Sequence, residues 1–372
     1  VQRMTLLASF FSLATVLVYV IGREMLEGRR NTGMLLIGTG LLILFPLAIF
    51  SKESAFSTIA WLVLIEVFFF ARTPVWRIGM KPALTVLVTM TIACLALLAL
   101  LPQINNDYIL REFTLVERLM TQTRVIWNYI SDIFIPDSGH MGVFQDDYTV
   151  SRGLLSPWTT LAGVLGLAGL LILAIRLATT AWWAVSFGIM FYLSGHLLES
   201  TILPLEIYFE HRNYLPSVGL LVAAASAATM LWQWRRSLLA VSFSLYLGLL
   251  AFSTLQRNLV WANKSLLLET SAINHPHSLR AWTDYSEDLL VNRKPRMALE
   301  AALQAANNNP EHAGIYLMQM ISFYCRINAP PPDLLIRNTA DQLQKNTSFA
   351  SSFTTPLGIG LENILSYKKS GG

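Results

Sequence analysis

Eight stretches of 17 to 20 residues are almost wholly apolar, and they constrain the fold more than any other feature of the sequence. A helix needs about 20 mainly apolar residues to cross a membrane, where each backbone amide must be hydrogen bonded within its own segment. Only 13% of the residues are charged, against about 25% in soluble domains. The sequence therefore predicts an all-α, polytopic membrane protein with about eight transmembrane helices. The expected spans are 4–21, 34–50, 55–71, 82–101, 158–175, 182–198, 215–231 and 238–255.

The distribution of Lys and Arg between successive connections predicts the orientation. Four short connections together hold nine of these residues, whereas 51–54 and 199–214 hold two. The four are 22–31, 72–81, 176–181 and 232–237. Because cytoplasmic loops carry the basic excess, we expect these four in the cytoplasm and the chain in the cytoplasmic membrane. The loops 51–54 and 199–214, the long loop 102–157 and the tail 256–372 are then extracytoplasmic, that is, periplasmic.

The long loop 102–157 carries a helical pattern. Apolar residues recur at helical spacing from Ile109 to Ile133, with charged residues between them. This pattern predicts one or two amphipathic helices lying along the membrane surface. Asp137 with His140, and Asp146 with Asp147, are candidate metal or sugar ligands in the rest of the loop. We favour the simpler interpretation that they are solvated loop residues.

Two prolines in the tail, Pro276 and Pro310, are 34 residues apart. This spacing is the period of tetratricopeptide repeats. The sequence predicts one repeat at about 279–312, with a first helix at 278–291 and a second at 295–308. A degenerate second unit starts near residue 312 and is interrupted by prolines at 330–332. The alternative is a helical hairpin unrelated to this repeat family.

The densest set of polar residues lies between the sixth and seventh expected spans. Charged groups at a membrane boundary are costly unless they are paired or face a cavity. His196 and Glu199 are spaced to share a helix face, and so are Glu206 and Glu210. The Arg212 guanidinium has the planar shape that suits phosphate. The candidate catalytic residues are Glu199, Glu210 and His211, and the candidate binding residues are Lys52, Glu53, His196, Glu206, Arg212 and Tyr214.

Lys52, in the loop 51–54, is expected to bring a second cation to the same cavity. The alternatives are a salt-bridge cluster that anchors two helices for the loop 199–214, and an ordinary polar turn for the loop 51–54. Any cofactor is unidentified, with a divalent cation as one candidate. Glu66 is the only charged residue within the eight spans, and we expect it to reach the interface. No basic stripe of the kind that binds nucleic acid is present.

Four short runs give the sequence a family resemblance. They stand at 1–8, at 51–53, at 199–204 and at 210–217, and the last reads Glu-His-Arg-Asn-Tyr-Leu-Pro-Ser. In this order they resemble landmarks of the transmembrane and tetratricopeptide-repeat-containing O-mannosyltransferases, which are similar to the GT-C class. The resemblance implies sugar transfer from a polyprenyl-phosphate carrier on the outer face. It also implies that Arg212, with Lys52, holds the lipid-linked phosphate.

Members of the GT-C class carry an acidic catalytic residue just after their first span, and this chain is expected to begin after that region. The natural protein is then expected to have further N-terminal spans, although a GUG start codon would equally explain Val1. In that case Glu199 and Glu210 would be carrier or acceptor contacts. The first function hypothesis is a GT-C-like glycosyltransferase, or an N-terminally truncated relative, whose repeat domain binds a protein or glycan acceptor. The alternatives are a non-catalytic membrane scaffold and a surface polysaccharide polymerase or ligase.

Overall fold

The computed structural model of the chain describes residues 3–70, 108–135, 142–232, 235–310, 313–327 and 329–345. These residues are helical or irregular, and none of them forms a strand. The chain divides into two compact units. The helices of the first unit are α1 (Arg3–Met25), α2 (Arg30–Thr39), α3 (Phe45–Ser51), α4 (Ser57–Ile65), α5 (Leu115–Phe134), α6 (Thr159–Leu177), α7 (Trp183–Gly195) and α8 (Ser217–Trp232).

The second unit contains residues 109–112, the segment 142–149 and the C-terminal helices. The helix α9 belongs to the first unit up to residue 243 and to the second unit after it. The remaining helices follow in chain order: α9 (Arg236–Trp261), α10 (Lys264–Asn274), α11 (Leu279–Val291), α12 (Pro295–Asn308), α13 (Ala313–Arg326) and α14 (Asp333–Lys345).

Five helical stretches among the described residues are long and apolar enough to cross a membrane. They are Arg3–Met25, Arg30–Ser51, Glu53–Phe70, Thr159–Leu177 and Arg236–Trp261. Two further apolar helices, α7 and α8, are shorter, with 13 and 16 residues. These seven coincide with seven of the eight expected spans, and the expected span 82–101 lies outside the described residues. The chain thus has the apolar helices of a membrane protein.

The second and third long stretches contain π-helical turns where the α-helical hydrogen bonding changes. Gly40–Leu44 is π-helical and leads into α3, which has Pro46 in its first turn. Proline has no N–H to donate to the preceding turn, and a π turn is one way for a helix to continue past that gap. The π turn Glu66–Phe70 follows α4. The Glu66 carboxylate there accepts hydrogen bonds from Arg23 and Tyr19 of α1. Glu66 therefore has protein partners, which the expectation of a residue simply reaching the interface did not include.

The helices α7 and α8 pack with their backbones in contact. A Cβ atom added at Gly188 would lie 2.4 Å from the Gly219 carbonyl oxygen, and one added at Gly219 would lie 2.5 Å from that of Gly188. Small residues allow this close approach between helices in membranes. The helix α7 also ends earlier than the expected span 182–198, at Gly195. Residues 196–200 form turns, so the polar loop begins sooner than the apolar pattern predicted.

The amphipathic pattern in the long loop corresponds to a single helix, α5. Thr114 and Glu117 begin it with a capping box, each side chain accepting a hydrogen bond from the other residue's backbone N–H. Its buried residues lie on one face, at i, i+3, i+4, i+7 and i+11, and are Arg118, Thr121, Gln122, Val125 and Tyr129. Four of these five residues have side chains that form hydrogen bonds, and Val125 is the exception. The helix face that packs on the protein is therefore largely polar.

The helices of the tail form successive hairpins. Ser278 is the N-cap of α11, and Pro295 begins α12, as predicted for a hairpin at 278–308. Four alanines from Ala298 to Ala306 are at most 5% exposed and one is 7% exposed, because neighbouring helices approach α12 closely. The prolines at 330–332 were expected to interrupt the second unit. Instead they form the connection between α13 and α14, which pack on each other.

The segment 142–149 belongs to the tail unit, although it lies in the loop between α5 and α6. The Asp147 carboxylate is 3.0 Å from His275 Nδ1, and Asp146 accepts a hydrogen bond from the Ser278 hydroxyl. Asp146 is exposed, in agreement with the interpretation as a solvated loop residue, whereas the Asp147 side chain is only 16% exposed and contacts His275, so the interpretation is wrong for Asp147. Asp137 and His140 lie outside the described residues.

Candidate functional site

A small cavity in the first unit lies where α1, the turn before α4 and the loop after α7 meet. Its volume is about 30 Å³, which is enough for roughly two water molecules. The side chains of Trp61, Leu215 and Pro216 contribute apolar wall. Its polar and charged lining residues are Thr5, Ser9, Ser12, Lys52, Ser54, Glu199, His211 and Arg212.

Lys52 and Glu199 form an ion pair in the wall of this cavity. Lys52 Nζ is 2.7 Å from Glu199 Oε1, and the two side chains are 12% and 6% exposed. Lys52 follows the C-terminus of α3, so the chain direction changes there before the short helix Glu53–Phe56. Charges removed from water need partners of opposite sign. The pair fixes the loop 51–54 against the loop 199–214. It also places Lys52 at the cavity, where a second cation was expected.

Arg212 lies beside this pair and is 6% exposed. Its Nη1 donates a 2.6 Å hydrogen bond to the Glu206 carbonyl, and its guanidinium lies 5.2 Å above the centre of the Phe209 ring. Within the described part of the chain, its Nε and Nη2 donate no hydrogen bond that would occupy them. A guanidinium can bind an oxyanion through two parallel N–H groups. Arg212 therefore keeps donors that an oxyanion in the cavity could use.

His211 is the third nitrogen-bearing side chain of the cavity. Burial, together with the nearby cations Lys52 and Arg212, lowers the pKa of His211 to about 4. Its ring lies 5.0 Å from the ring of Phe209. At neutral pH the imidazole is therefore uncharged and can accept a proton or a hydrogen bond. The positive charge at the cavity comes from Lys52 and Arg212 alone among the lining residues.

The path of the polar loop is set by Arg118 of α5, which is fully buried. Its guanidinium donates to the carbonyl oxygens of Glu199 at 2.7 Å and Thr201 at 3.1 Å. It also donates to the carbonyls of Leu205 and Glu206. A buried carbonyl without a donor is costly, and this loop has little regular structure to supply one. One side chain thus satisfies the backbone of much of the segment 199–206.

Two more residues of the same α5 face continue this arrangement. Gln122 Nε2 donates to the Ile207 carbonyl at 2.7 Å, and the Tyr129 hydroxyl donates to the Phe209 carbonyl at 2.9 Å. Asn213 Nδ2 in turn donates to the Tyr129 carbonyl at 3.0 Å. Sequence reasoning did not identify Arg118, Gln122 or Tyr129 as site residues. Polar residues at i, i+4 and i+11 on one helix face were the available signal.

Some of the predicted site residues lie elsewhere. His196 is buried away from the cavity, with its ring stacked 5.4 Å from that of Tyr129. Because α7 ends at Gly195, His196 and Glu199 lie in turns and the prediction of a shared helix face is wrong. Glu206 and Glu210 do not share a helix face either, since 201–209 is irregular and a short 3-10 helix begins only at Glu210.

Of the nine predicted residues, Lys52, Glu199, His211 and Arg212 line the cavity. Glu53 and Tyr214 are exposed, and neither they nor Glu206 and Glu210 belong to the lining. The observed cluster is therefore smaller than the one expected from the run of polar residues in the sequence. Where the backbone is irregular, neighbouring side chains point in different directions, so helical spacing does not predict which of them meet.

The hydroxyl-bearing residues of α1 were also missed. Thr5, Ser9 and Ser12 line the cavity from one face of the helix, at i, i+4 and i+7. The hydroxyl oxygens of Thr5 and Ser12 are buried and lack a hydrogen-bond partner among the described residues. Unsatisfied buried hydroxyls are uncommon and often contact a ligand or water. A polar stripe in an otherwise apolar helix was the sequence signal for them.

A metal site is not formed by side chains of the described residues, since none of them come together as three or more His, Cys, Asp or Glu. The candidate divalent cation thus has no such ligand cluster in that part of the chain. Comparison of the chain with protein-family models, with curated proteins and with solved structures finds no match. The family resemblance remains a prediction.

Proposed function

We propose that the chain is a GT-C-like glycosyltransferase, or the truncated relative of one, that uses a polyprenyl-phosphate-linked sugar. The observation that carries the proposal is the cavity in which Lys52 and Arg212 meet beside Glu199 and His211. The cations Lys52 and Arg212, together with the hydroxyls of Thr5 and Ser12 that have no hydrogen-bond partner among the described residues, suit a bound phosphate. A cavity of about 30 Å³ is too small for a sugar. We therefore place only the phosphate there and the sugar outside.

In the proposed reaction the phosphate competes with Glu199 for the Lys52 ammonium. The hydroxyl oxygen of the acceptor bonds to the anomeric carbon, and the bond from that carbon to the phosphate oxygen breaks. Glu199, released from Lys52, takes the hydroxyl proton, with the uncharged His211 as the second proton acceptor at the cavity. Polyprenyl phosphate leaves while held by Arg212. This assignment uses a general base and electrostatic stabilisation of the leaving group.

Contacts between connections support the proposed topology. The loop 51–54 contacts the loop 199–214 through Lys52 and Glu199, and α5 contacts the same loop through Arg118. All three were assigned to the extracytoplasmic side from the basic residues of the other connections. Arg23 and Glu66, both expected at the cytoplasmic ends of their spans, contact each other. We propose that the cavity faces the outside of the cytoplasmic membrane and that the chain is multi-pass.

The second candidate function is a membrane scaffold with a tetratricopeptide interaction domain. It is favoured by the successive hairpins α11–α12 and α13–α14, in which each helix packs on its neighbours along the chain. Stacked helix pairs of this kind present surfaces for protein partners. In the glycosyltransferase proposal the same domain binds the protein or glycan acceptor. A surface polysaccharide polymerase or ligase would use the same cavity with a glycan acceptor.

Binding of a short-chain polyprenyl phosphate to the purified chain in nanodiscs tests the proposal. We expect Arg212→Ala and Lys52→Met each to weaken binding at least tenfold, whereas Glu53→Gln, at an exposed residue beside Lys52, keeps wild-type affinity. Circular dichroism checks that the variants retain their helix content. Binding that is unchanged in both folded cavity variants overturns the phosphate assignment. If the affinity changes but no sugar is transferred from a polyprenyl-phosphate sugar, the scaffold becomes the better explanation.

A further inference from the structure

The segment 142–149, here called the docked segment, is bound to the tail helices by three kinds of contact. Phe144 packs against the apolar core that contains Trp282 and Tyr316. Asp146 and Asp147 contact residues that stand just before α11. In the sequence, residues of the first unit stand before position 136 and after position 149. It therefore contacts the tail as an extended ligand does and is not one of the stacked helices.

Asp146 occupies the N-terminus of α11. Its carboxylate accepts hydrogen bonds from the Ser278 hydroxyl and from the Arg280 backbone N–H, the latter at 3.3 Å. Ser278 meanwhile caps the helix by accepting from the Ala281 N–H at 3.0 Å. The first backbone N–H groups of a helix have no partner within it and favour a negative charge. The tail thus offers a site that selects a carboxylate at this position of the docked segment.

Asp147 is recognised by His275, the residue after α10. The two side chains are 16% and 11% exposed, and Asp147 Oδ1 is 3.0 Å from His275 Nδ1. A Cβ atom added at Gly142 would lie 3.0 Å from His275 Nε2. The absence of a side chain at Gly142 therefore lets the backbone of the docked segment pass over the imidazole. This second carboxylate contact fixes the register of the segment.

Two buried polar atoms at this surface keep unused hydrogen-bonding capacity. His275 Nε2 and the Tyr316 hydroxyl have no hydrogen-bond partner among the described residues, and these residues are 8% and 3% exposed. Burial, with the nearby carboxylates of Asp146 and Asp147, raises the pKa of the Tyr316 hydroxyl. The surface therefore has more polar groups than the docked segment satisfies. A different peptide could satisfy groups that the docked segment leaves unpaired.

We propose that this surface of the tail is a binding site for an extended acidic peptide of another protein, and that the docked segment occupies it within the chain. The peptide has an aromatic residue followed, two and three positions later, by two carboxylates, as in Phe144, Asp146 and Asp147. The docked segment competes at an effective concentration on the order of millimolar, the usual value for short linkers. A partner must bind more tightly than the docked segment or arrive when that segment is displaced.

The full chain in nanodiscs tests this with a fluorescent synthetic peptide that has the sequence of residues 142–149. The chain variant Phe144→Ala/Asp146→Asn/Asp147→Asn keeps the surface but weakens its internal occupant. We expect the variant to bind the free peptide at least tenfold more tightly than the wild type does, as measured by fluorescence anisotropy. A peptide with both aspartates replaced by asparagine is expected to lose most of this binding.

Asp341→Asn, at an exposed carboxylate on α14, is the matched chain control and is expected to bind as the wild type does. If the triple variant does not keep its helix content, Phe144→Ala alone serves for the same comparison. Equal binding of the peptide to wild type and variant overturns the proposal, because the docked segment then does not occupy the site. No binding to either overturns it as well, since the segment is then only an internal tether.

Discussion

Lys52 Nζ lies 2.7 Å from Glu199 Oε1, and this ion pair joins two connections that are far apart in the chain. The two side chains are nearly buried, so neither charge is compensated by bulk water. Arg212 and His211 line the same cavity. Glu199 is the one carboxylate among the lining residues of the cavity, against the two cations Lys52 and Arg212. Substitutions in this pair should therefore change the charge and the stability of the cavity more than substitutions elsewhere in its lining.

Replacing Glu199 by Gln should destabilise the chain, because it leaves the Lys52 ammonium buried without a negative partner. Removing one partner of a buried ion pair costs about 3 to 5 kcal/mol, and the slight exposure of Lys52 places the expected loss at the lower end. Thermal unfolding in detergent measures the effect. The double variant Lys52→Met/Glu199→Leu should recover most of it, and Glu53→Gln should unfold as the wild type does. Equal stability of Glu199→Gln and wild type would contradict this account of the pair.

Replacing Arg118 by Met should loosen the segment 199–206 and lower the stability of the protein. Each buried carbonyl that loses its donor costs about 1 to 3 kcal/mol, and four carbonyls share this guanidinium. Hydrogen–deuterium exchange measured by mass spectrometry should show faster exchange in 199–209 and little change in α6. Arg111→Met, at an exposed arginine, is the control. The same exchange rates in both variants would mean that Arg118 does not set the path of the loop.

The stability of the chain should depend on pH through His211. Its pKa is about 4 in the folded chain and about 6.5 when unfolded, so the unfolded chain binds the proton more readily. The contribution of His211 to the free energy of unfolding should be constant above about pH 6.5, fall between about pH 6.5 and 4, and level off below about pH 4. His211→Gln should remove that part of the slope in thermal unfolding recorded from pH 4 to 8. His277→Gln, at an exposed histidine of the tail, should keep the wild-type slope, and a slope unaffected by His211→Gln would rule out this assignment.

Adding a methyl group at Gly188 should separate α7 from α8, because the new Cβ would lie 2.4 Å from the Gly219 carbonyl oxygen. Forcing an extra carbon into a close-packed contact costs about 1 to 3 kcal/mol. Gly188→Ala should lower both the unfolding temperature and the yield of monodisperse protein after solubilisation. Gly169→Ala on α6, where an added Cβ meets nothing within 4 Å, should behave as the wild type does. Similar behaviour of the two variants would show that the helices can move apart at little cost.

The sequence predicted those features that depend on apolar length and on capping residues. Long apolar stretches located seven helices, and Ser278 with Pro295 located the hairpin α11–α12 to within one residue. The contact of Lys52 with the loop 199–214 was one of two expectations for the loop 51–54, the other being an ordinary polar turn. The loop itself could not be predicted, because its shape depends on carbonyl oxygens that bind Arg118. Every residue has a carbonyl, so acceptors of this kind leave no trace in the amino-acid order.

Because Arg118 binds backbone oxygens, the path of the loop does not depend on the identity of the loop's side chains, although these two properties usually change together. Its guanidinium contacts main-chain oxygens of the loop, which remain when the loop's side chains are exchanged. A variant can therefore receive new chemical groups between residues 200 and 205 while the backbone keeps its course past α5. The chain thus contains a segment whose side chains can be exchanged, by evolution or in the laboratory, without rebuilding the architecture that supports it.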